Sequence, residues 1–332
     1  MRKKIHIYIH ILPIVLLSTA LLSCTKWLKE DDRLQYITFG VNGLETDTKS
    51  LITNEDFNNG TPKVYVYGWR NNTNQIFNKI QITKEANSSN WITNPQRQWS
   101  PGSSYTFHAI TQSPDSPGNG ASISSTNNGL KITVSQPTSY SEANMVDYML
   151  SHSYKVSDGS NYHIVMLYME HAMSCVEIVV EKEMEEHNIV LENITLSNIY
   201  RSATMQCDGQ ATANSGNTNK WSIQLSGNNE QDYSAGPFAE PTDGVTTLGE
   251  MTILAVPQQL TNATTLSVTY TVTEYAESTK RYTQEFQLYN YTPYVWESGH
   301  KITYTLTINT GVQLKAHIAD WIDGGYIEGV II

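Results

Sequence analysis

The chain has 332 residues, 32 Asp and Glu against 21 Lys and Arg, a formal charge of −11 at neutral pH and three cysteines. An acidic chain with no basic patch lacks the electrostatic footprint that a phosphate backbone requires, which argues against nucleic acid as a partner. Cys175 and Cys207 have no second ligand at metal spacing, and they pair only if the fold brings them together in an oxidising compartment.

The chain begins with Arg2, Lys3 and Lys4, then a largely apolar stretch from Ile5 to Leu22 that is too short for a comfortable membrane span and reads as an export signal. Its end resembles the bacterial lipobox. Small Ser23 precedes Cys24 and Leu21 stands three residues before it, while Leu22 sits where a small residue is usual. The expectation is a lipoprotein signal peptide over 1–23 and a lipid on Cys24; the other reading is an ordinary secretion signal followed by an incidental cysteine. A lipid there anchors the chain to the outer membrane without a spanning helix, each buried methylene contributing ~0.8 kcal/mol. Removing 1–23 leaves 309 residues with 18 Lys and Arg against 32 Asp and Glu, a charge of −14. Residues 24–33 then form a tether. Within it Lys29, Glu30, Asp31 and Asp32 resemble the lysine-plus-acidic-pair signal that moves Bacteroidetes lipoproteins to the cell surface; as a plain charge run they form a solvated linker.

From residue 34 onward the texture is β. "LQYITFGVN" (Leu34 to Asn42) alternates Tyr36, Thr38 and Gly40 with Ile37, Phe39 and Val41. The same period of two recurs in "KVYVYGW" (Lys63 to Trp69), "YTFHAI" (Tyr105 to Ile110), "LKITV" (Leu130 to Val134), "YHIVMLYM" (Tyr162 to Met169) and "SCVEIVVE" (Ser174 to Glu181). The Ser, Pro, Asn and Gly of Ser113 to Gly129 read as a loop, and Ser139 to His152 as a helical turn or two capped by Ser141. "EKEMEEHN" (Glu181 to Asn188) interrupts two apolar strands with charge and reads as a seam or a short helix. Beyond it come "WSIQL" (Trp221 to Leu225), "MTILAV" (Met251 to Val256), "LSVTYTVTEY" (Leu266 to Tyr275), "RYTQEFQLY" (Arg281 to Tyr289) and "KITYTLTI" (Lys301 to Ile308). So many short strands exceed one ordinary sandwich. An all-β chain of two tandem β-sandwich domains, 34–183 and 184–332, is the economical expectation.

In "WESGHKITYTLTI" (Trp296 to Ile308), Gly299 permits a tight turn, after which Ile302, Tyr304, Leu306 and Ile308 share one face and three threonines the other. Trp296 and Trp321 read as caps on hydrophobic layers, with sugar stacking as the other use of such rings. His171, in "MEHAMS", reads as a hydrogen-bonded structural histidine with no metal partner nearby in sequence.

Taken in order, "YTFHAI", "VDYML" (Val146 to Leu150), "YMEHAMSCVEIVV" (Tyr168 to Val180), "WESGHKITYTLTI" and "IADW" (Ile318 to Trp321) resemble the Bacteroidales fimbrillin family, the Mfa-like surface lipoproteins, over nearly the whole chain. The resemblance implies two transthyretin-like β-sandwiches in a subunit of a type V pilus, with other pilus subunits and host or bacterial surface ligands as partners and no cofactor. It also implies cleavage of a surface precursor by a trypsin-like, arginine-preferring protease and replacement of the lost first strand by a neighbour's strand. Strand physics makes that sensible, since removing a core strand leaves unpaired backbone and an apolar groove that an extended donor satisfies.

Mapped onto this chain, the removable strand is Leu34 to Asn42 and the cut falls in Gly43 to Gly60, whose only basic residue is Lys49. Lysine departs from the family's arginine, and an anchor subunit that keeps its lipid would leave the strand uncut. The donor candidate is "YIEGVII", with Tyr326, Ile327, Val330, Ile331 and Ile332 following the Gly324-Gly325 hinge; it either closes its own sandwich or enters a neighbour's groove.

Catalysis finds no foothold: the chain has no HExxH, no GxSxG, no phosphate-binding glycine loop and no informative Cys/His arrangement. Adjacent acids such as Glu185 and Glu186 sit in charged linkers, where they are ordinarily solvated. The expectation is a non-enzymatic surface subunit. Its alternative is a glycan-binding lipoprotein that does not polymerise and uses exposed Tyr and Trp as a sugar platform.

Overall fold

Apolar side chains at every second position, separated by clusters of Asn, Ser and Gly, favour short strands that each bury one face. A computed structural model describes residues 36–43, 54–118, 120–137, 139–141, 144–159, 164–183, 188–207, 210–211, 221–227, 231–241, 244–273, 278–291, 294–309 and 312–320. The described part is all-β, as the pattern requires, and among these residues no helix is long and apolar enough to cross a membrane.

The first strands are β1 (Phe39–Gly43), β2 (Val64–Arg70), β3 (Asn74–Lys84), β4 (Asn90–Thr93), β5 (Tyr105–Ile110), β6 (Ser122–Thr126), β7 (Gly129–Ser135), β8 (Met149–Ser151), β9 (Ser153–Val156) and β10 (Val165–His171), with a short helix α1 (Asn54–Asn59) between β1 and β2. With the later strand β14 (Gln210–Ala211) at one end, a nine-stranded sheet runs β14-β9-β5-β2-β3-β4-β1-β10-β8 and meets itself because Leu150 of β8 pairs with Ile110 of β5. Its interior holds Ile37, Phe39, Val66, Phe77, Trp91 and Phe107, all buried.

The remaining strands are β11 (Ser174–Lys182), β12 (Asn188–Ile199), β13 (Ser202–Cys207), β14 (Gln210–Ala211), β15 (Trp221–Ser226), β16 (Gln231–Ala235), β17 (Thr247–Ala255), β18 (Gln258–Gln259), β19 (Thr265–Thr273), β20 (Thr279–Gln287), β21 (Val295–Trp296), β22 (His300–Ile308) and β23 (Val312–Asp320). Sheets β17-β11-β22-β23 and β16-β12-β19-β20 enclose a second core. Here the alternation in β22 lands as the sequence predicts, with Ile302, Tyr304, Leu306 and Ile308 buried between half-buried threonines. Trp296 is fully buried and its indole N–H donates to the Tyr304 hydroxyl at 3.1 Å, so it fills this core; Trp321 lies outside the described residues.

A fourth sheet, β15-β13-β7-β6, lies across the first. Tyr67, Trp69 and Ile110 on one side and Ile132, Val134 and Met205 on the other form a middle core, which also takes in Met173, Cys175, Leu254 and Val256. Strand β13 follows the expected 183/184 boundary in sequence yet pairs with β7, which precedes it. Strand β11 also precedes that boundary, yet it lies between β17 and β22 in the second core. The charged Glu181 to Asn188 stretch therefore connects β11 to β12 within one core, and the chain passes from the first core to the second at the β10–β11 turn.

Two local expectations change. Of Ser139 to His152, only one short 3-10 turn follows the expectation, the Asn144 N–H donating to the Ser141 carbonyl at 2.9 Å; beyond it Tyr148, Met149 and Leu150 are all fully buried, and Met149–Ser151 pairs with β10 on one side and β5 on the other, which only extended backbone allows. Within the expected loop Ser113 to Gly129, Ser122–Thr126 is strand β6, a polar edge laid on β7 in which Ile123 packs inward. Cys175 and Cys207 are both buried and form no disulfide, and Cys207 Sγ lies 3.4 Å from His152 Nδ1. His171 is structural, as expected, its Nδ1 2.9 Å from Asp147 Oδ1.

His108 of β5 is fully buried against Trp69, with Nδ1 3.1 Å from the Ser153 hydroxyl. Burial pushes its pKa down from 6.5 to about 4, against a small opposing pull from the Asn127 carbonyl and with some help from the Lys155 charge. The unfolded chain therefore takes up this proton first, so stability is complete above pH 6.5 and is lost as pH falls toward 4. Between pH 7 and pH 5 the loss due to His108 is about 2 kcal/mol. The variant His108→Asn should lack that component, seen as a smaller change in urea midpoint between the two pH values.

Candidate assembly site: the first strand and its slot

Strand β1 is the earliest described strand in the chain and one of the most enclosed. It runs parallel to β10, in register from Phe39↔Val165 to Gly43↔Met169, and antiparallel to β4 through Phe39↔Trp91 and Gly40↔Asn90. Two further contacts extend the ladder: the Ile37 N–H donates to the Arg97 carbonyl at 2.7 Å, and the Val165 N–H to the Thr38 carbonyl at 2.9 Å. The period of two read from the sequence holds for Ile37, Phe39 and Val41, 0%, 0% and 5% exposed, against Tyr36 and Asn42, which face solvent, but Gly40 on the second face is buried as well, under Met166.

Phe39 is the centre of this slot. Its ring meets Phe77 edge-on at 5.9 Å and Phe107 edge-on at 5.7 Å. Those two rings come from the strands flanking β2, and they approach each other to 6.3 Å across Gly68. A Cβ on Gly68 would stand 2.8 Å from Phe77 Cδ2 and 3.0 Å from Phe107 Cδ1, so only glycine leaves room for the pair. Trp91 and Met169 belong to the same core, and α1 places buried Phe57 there too. At the C-terminal end of β1 an open cleft of about 410 Å³ lies between Asn42, Phe57, Lys84, Asn90, Trp91 and Met166.

The energetic consequence follows from burial. Three side chains buried at ~1.5–3 kcal/mol each contribute roughly 5–9 kcal/mol, which is comparable to the whole stability of a typical domain at ~5–15 kcal/mol. Without β1, the backbone of β10 and β4 is unpaired on one side and the Phe77–Phe107 surface is open to water.

None of the other site residues expected from sequence lies in the described part: Cys24, Lys29, Glu30, Asp31, Asp32, Lys49 and Tyr326 to Ile332 are all outside it. The slot's walls were the part that sequence reading missed. Gly68 inside "KVYVYGW" was the available signal, because a glycine in a strand interior marks a close approach. Among the described residues no group of three His, Cys, Asp or Glu is arranged to hold a metal ion.

The family described as fimbrillin-like matches residues 48–321. A solved fimbrial protein from Bacteroides vulgatus is 15% identical with a TM-score of 0.55, the match covering 86% of this chain and 99% of that one. A candidate cell adhesion protein from Bacteroides uniformis is 14% identical with a TM-score of 0.53, again over 86% and 99%. At such identities the likeness speaks for the fold. No curated protein matches the sequence.

The slot yields two expected outcomes. Phe39→Ala should destabilise the chain by about 3–5 kcal/mol, and Gly68→Ala by about 1–3 kcal/mol through overpacking. Both would be read as lowered urea midpoints with the slope unchanged.

Proposed function

This chain belongs to the fimbrillin-like family, and from that premise we propose that it is a surface-anchored structural or adhesive subunit of a type V pilus that assembles by donor-strand exchange. The observation that supports this most directly is the place of β1: a strand near the start of the chain, central in the first core, and followed by a segment bearing a single basic residue, Lys49. The names of the similar fimbrial and cell adhesion structures are in keeping with it.

In this proposal the chain is exported, lipidated at Cys24 and delivered to the outer face of the outer membrane with the help of Lys29, Glu30, Asp31 and Asp32. A protease then cuts after Lys49. Loss of the residues up to the cut opens the slot, and an extended segment of another subunit, Tyr326 to Ile332 being the candidate, fills it by strand addition. The partners are other pilus subunits, the lipid of the outer membrane and a ligand on a host or bacterial surface.

Sequencing the N-terminus of surface material tests the processing step. Chains beginning at Ser50 are expected, and Lys49→Ala should abolish them; chains that all begin at lipidated Cys24 would mark an uncut anchor or a non-polymerising binding lipoprotein. Cys24→Ala should lose palmitate labelling and leave the membrane fraction, and a labelled alanine variant would sink the lipid assignment. A chain ending at Gly325 should melt within about a degree of the full monomer yet fail to assemble, because donated contacts are intermolecular. A drop of many degrees would instead place the segment in its own sandwich.

A further inference from the structure

At the opposite end of β1 from the Phe57 cleft lies a second concavity, of about 450 Å³, whose lining includes Tyr36, Arg70, Gln75, Gln96, Arg97 and Gln98. Its walls are tied together. Tyr36 bridges to Gln98, and the Ile37 N–H donates to the Arg97 carbonyl at 2.7 Å. The β2–β3 turn is fixed from the other side, where the Ser104 N–H donates to Asn71 Oδ1 at 2.9 Å and the Asn71 N–H to the Ser104 carbonyl at 2.8 Å. Below, the Tyr105 hydroxyl accepts from the Ser100 N–H at 2.7 Å.

The charges at this place are unusual for this molecule. The described residues include four arginines. Arg281 pairs with Glu192 at 2.7 Å and Arg201 donates to the Gln136 carbonyl at 3.3 Å. Arg70 and Arg97 have no carboxylate within 4.0 Å among the described residues, and both line this one concavity on a chain of net charge −11. Arg97 is held over the Phe77 ring, 5.8 Å from guanidinium carbon to ring centre, a contact that restrains the group and leaves its N–H donors unspent.

We infer that this concavity binds an anionic saccharide through the carboxylate of a uronate or sialate unit. A guanidinium matches a planar carboxylate with two parallel hydrogen bonds. The carboxamides of Gln75, Gln96 and Gln98 each offer donor and acceptor, which suits vicinal hydroxyls, and Tyr36, 36% exposed, offers a ring face to the C–H side of a pyranose. An acidic peptide fits less well: the backbone of 36–37 and 97–98 is already mutually paired, so there is no strand edge for peptide addition. The site is complete only with β1 in place, since Tyr36 and the pairing that holds residues 97 and 98 both come from its lead-in. Binding therefore belongs to the uncut chain, and the cleavage proposed above would abolish it by removing Tyr36 and β1.

Calorimetric titration of the full chain with sialyllactose, trigalacturonate, neutral lactose and a hexaglutamate peptide tests this. One of the two acidic saccharides should bind, more weakly as salt is raised, and lactose should not. Arg97→Gln and Arg70→Gln should each weaken binding by about tenfold or more with an unchanged melting temperature, while Arg281→Gln, at a paired surface arginine, should leave it intact. If neither saccharide binds, if binding survives both substitutions in the cleft, or if hexaglutamate binds as tightly as the saccharides, the assignment is overturned.

Discussion

The first core depends on one insertion, that of the Phe39 ring against Phe77 and Phe107 where Gly68 leaves their strands bare. Much else in the fold follows from it. Because Phe77 and Phe107 stand on the two neighbours of β2, a single ring from β1 reaches the opposite wall of the sheet and fills the space that curvature creates. The glycine has a second effect, since the register between β2 and β3 shifts at Gly68, and such irregularities sharpen strand twist. A sheet curled in this way brings β8 back to β5, so filling the interior and closing the ring are one requirement.

The three cores are joined by polar contacts as well as apolar ones. His152, between β8 and β9, has Nε2 2.8 Å from Glu170 Oε1 on β10 and Nδ1 3.4 Å from Cys207 Sγ on β13, all deeply buried. Asp147 and His171 form a neighbouring pair at 2.9 Å. Gln136 spans the junction to the second core by donating to the Leu254 carbonyl at 2.7 Å. Buried polar pairs of this kind add little net stability once desolvation is counted, but they tolerate only one alignment of the elements that carry them. They therefore fix the β15-β13-β7-β6 sheet on the first, where hydrophobic packing alone would allow sliding.

Period-two strands with one apolar face were legible in the sequence, and β1, β5, β7, β11 and β22 lie where alternation put them. The polar strands were not. Ser122–Thr126 carries one apolar residue in five, and its strand character comes from its neighbour β7 rather than from its own composition. Met149–Ser151 sat in a stretch with a plausible cap and no proline, so local signals favoured a turn of helix, and tertiary pairing on both sides overrode them. The connectivity among cores was hidden for a related reason. A charged run such as Glu181 to Asn188 reads as a connection, yet charge alone does not distinguish a hairpin within one sandwich from a linker between two. The amide-rich arginine cleft was equally invisible, because its residues come from four places in the chain and none forms a local motif.

The edge strands of this fold are built to resist pairing with another chain. Strand β20 is exposed along nearly all its length and carries Lys280, Arg281 and Glu285, and β6 presents serines, so these edges are poor templates for another chain. The slot under β1 is different in kind. It demands apolar residues at alternate positions with an aromatic ring in the middle, as Ile37, Phe39 and Val41 supply. The two faces of "YIEGVII" read Tyr326, Glu328, Val330, Ile332 and Ile327, Gly329, Ile331. The second face is free of charge but places a glycine where the ring belongs, and an unfilled aromatic site costs about 3–5 kcal/mol. A donor of this sequence could therefore not displace an intact β1 from the same core, because the resident strand is the better fit. Under the proposed donor-strand exchange, covalent removal of β1 would have to come first, so cleavage, rather than relative strand affinity, would control assembly.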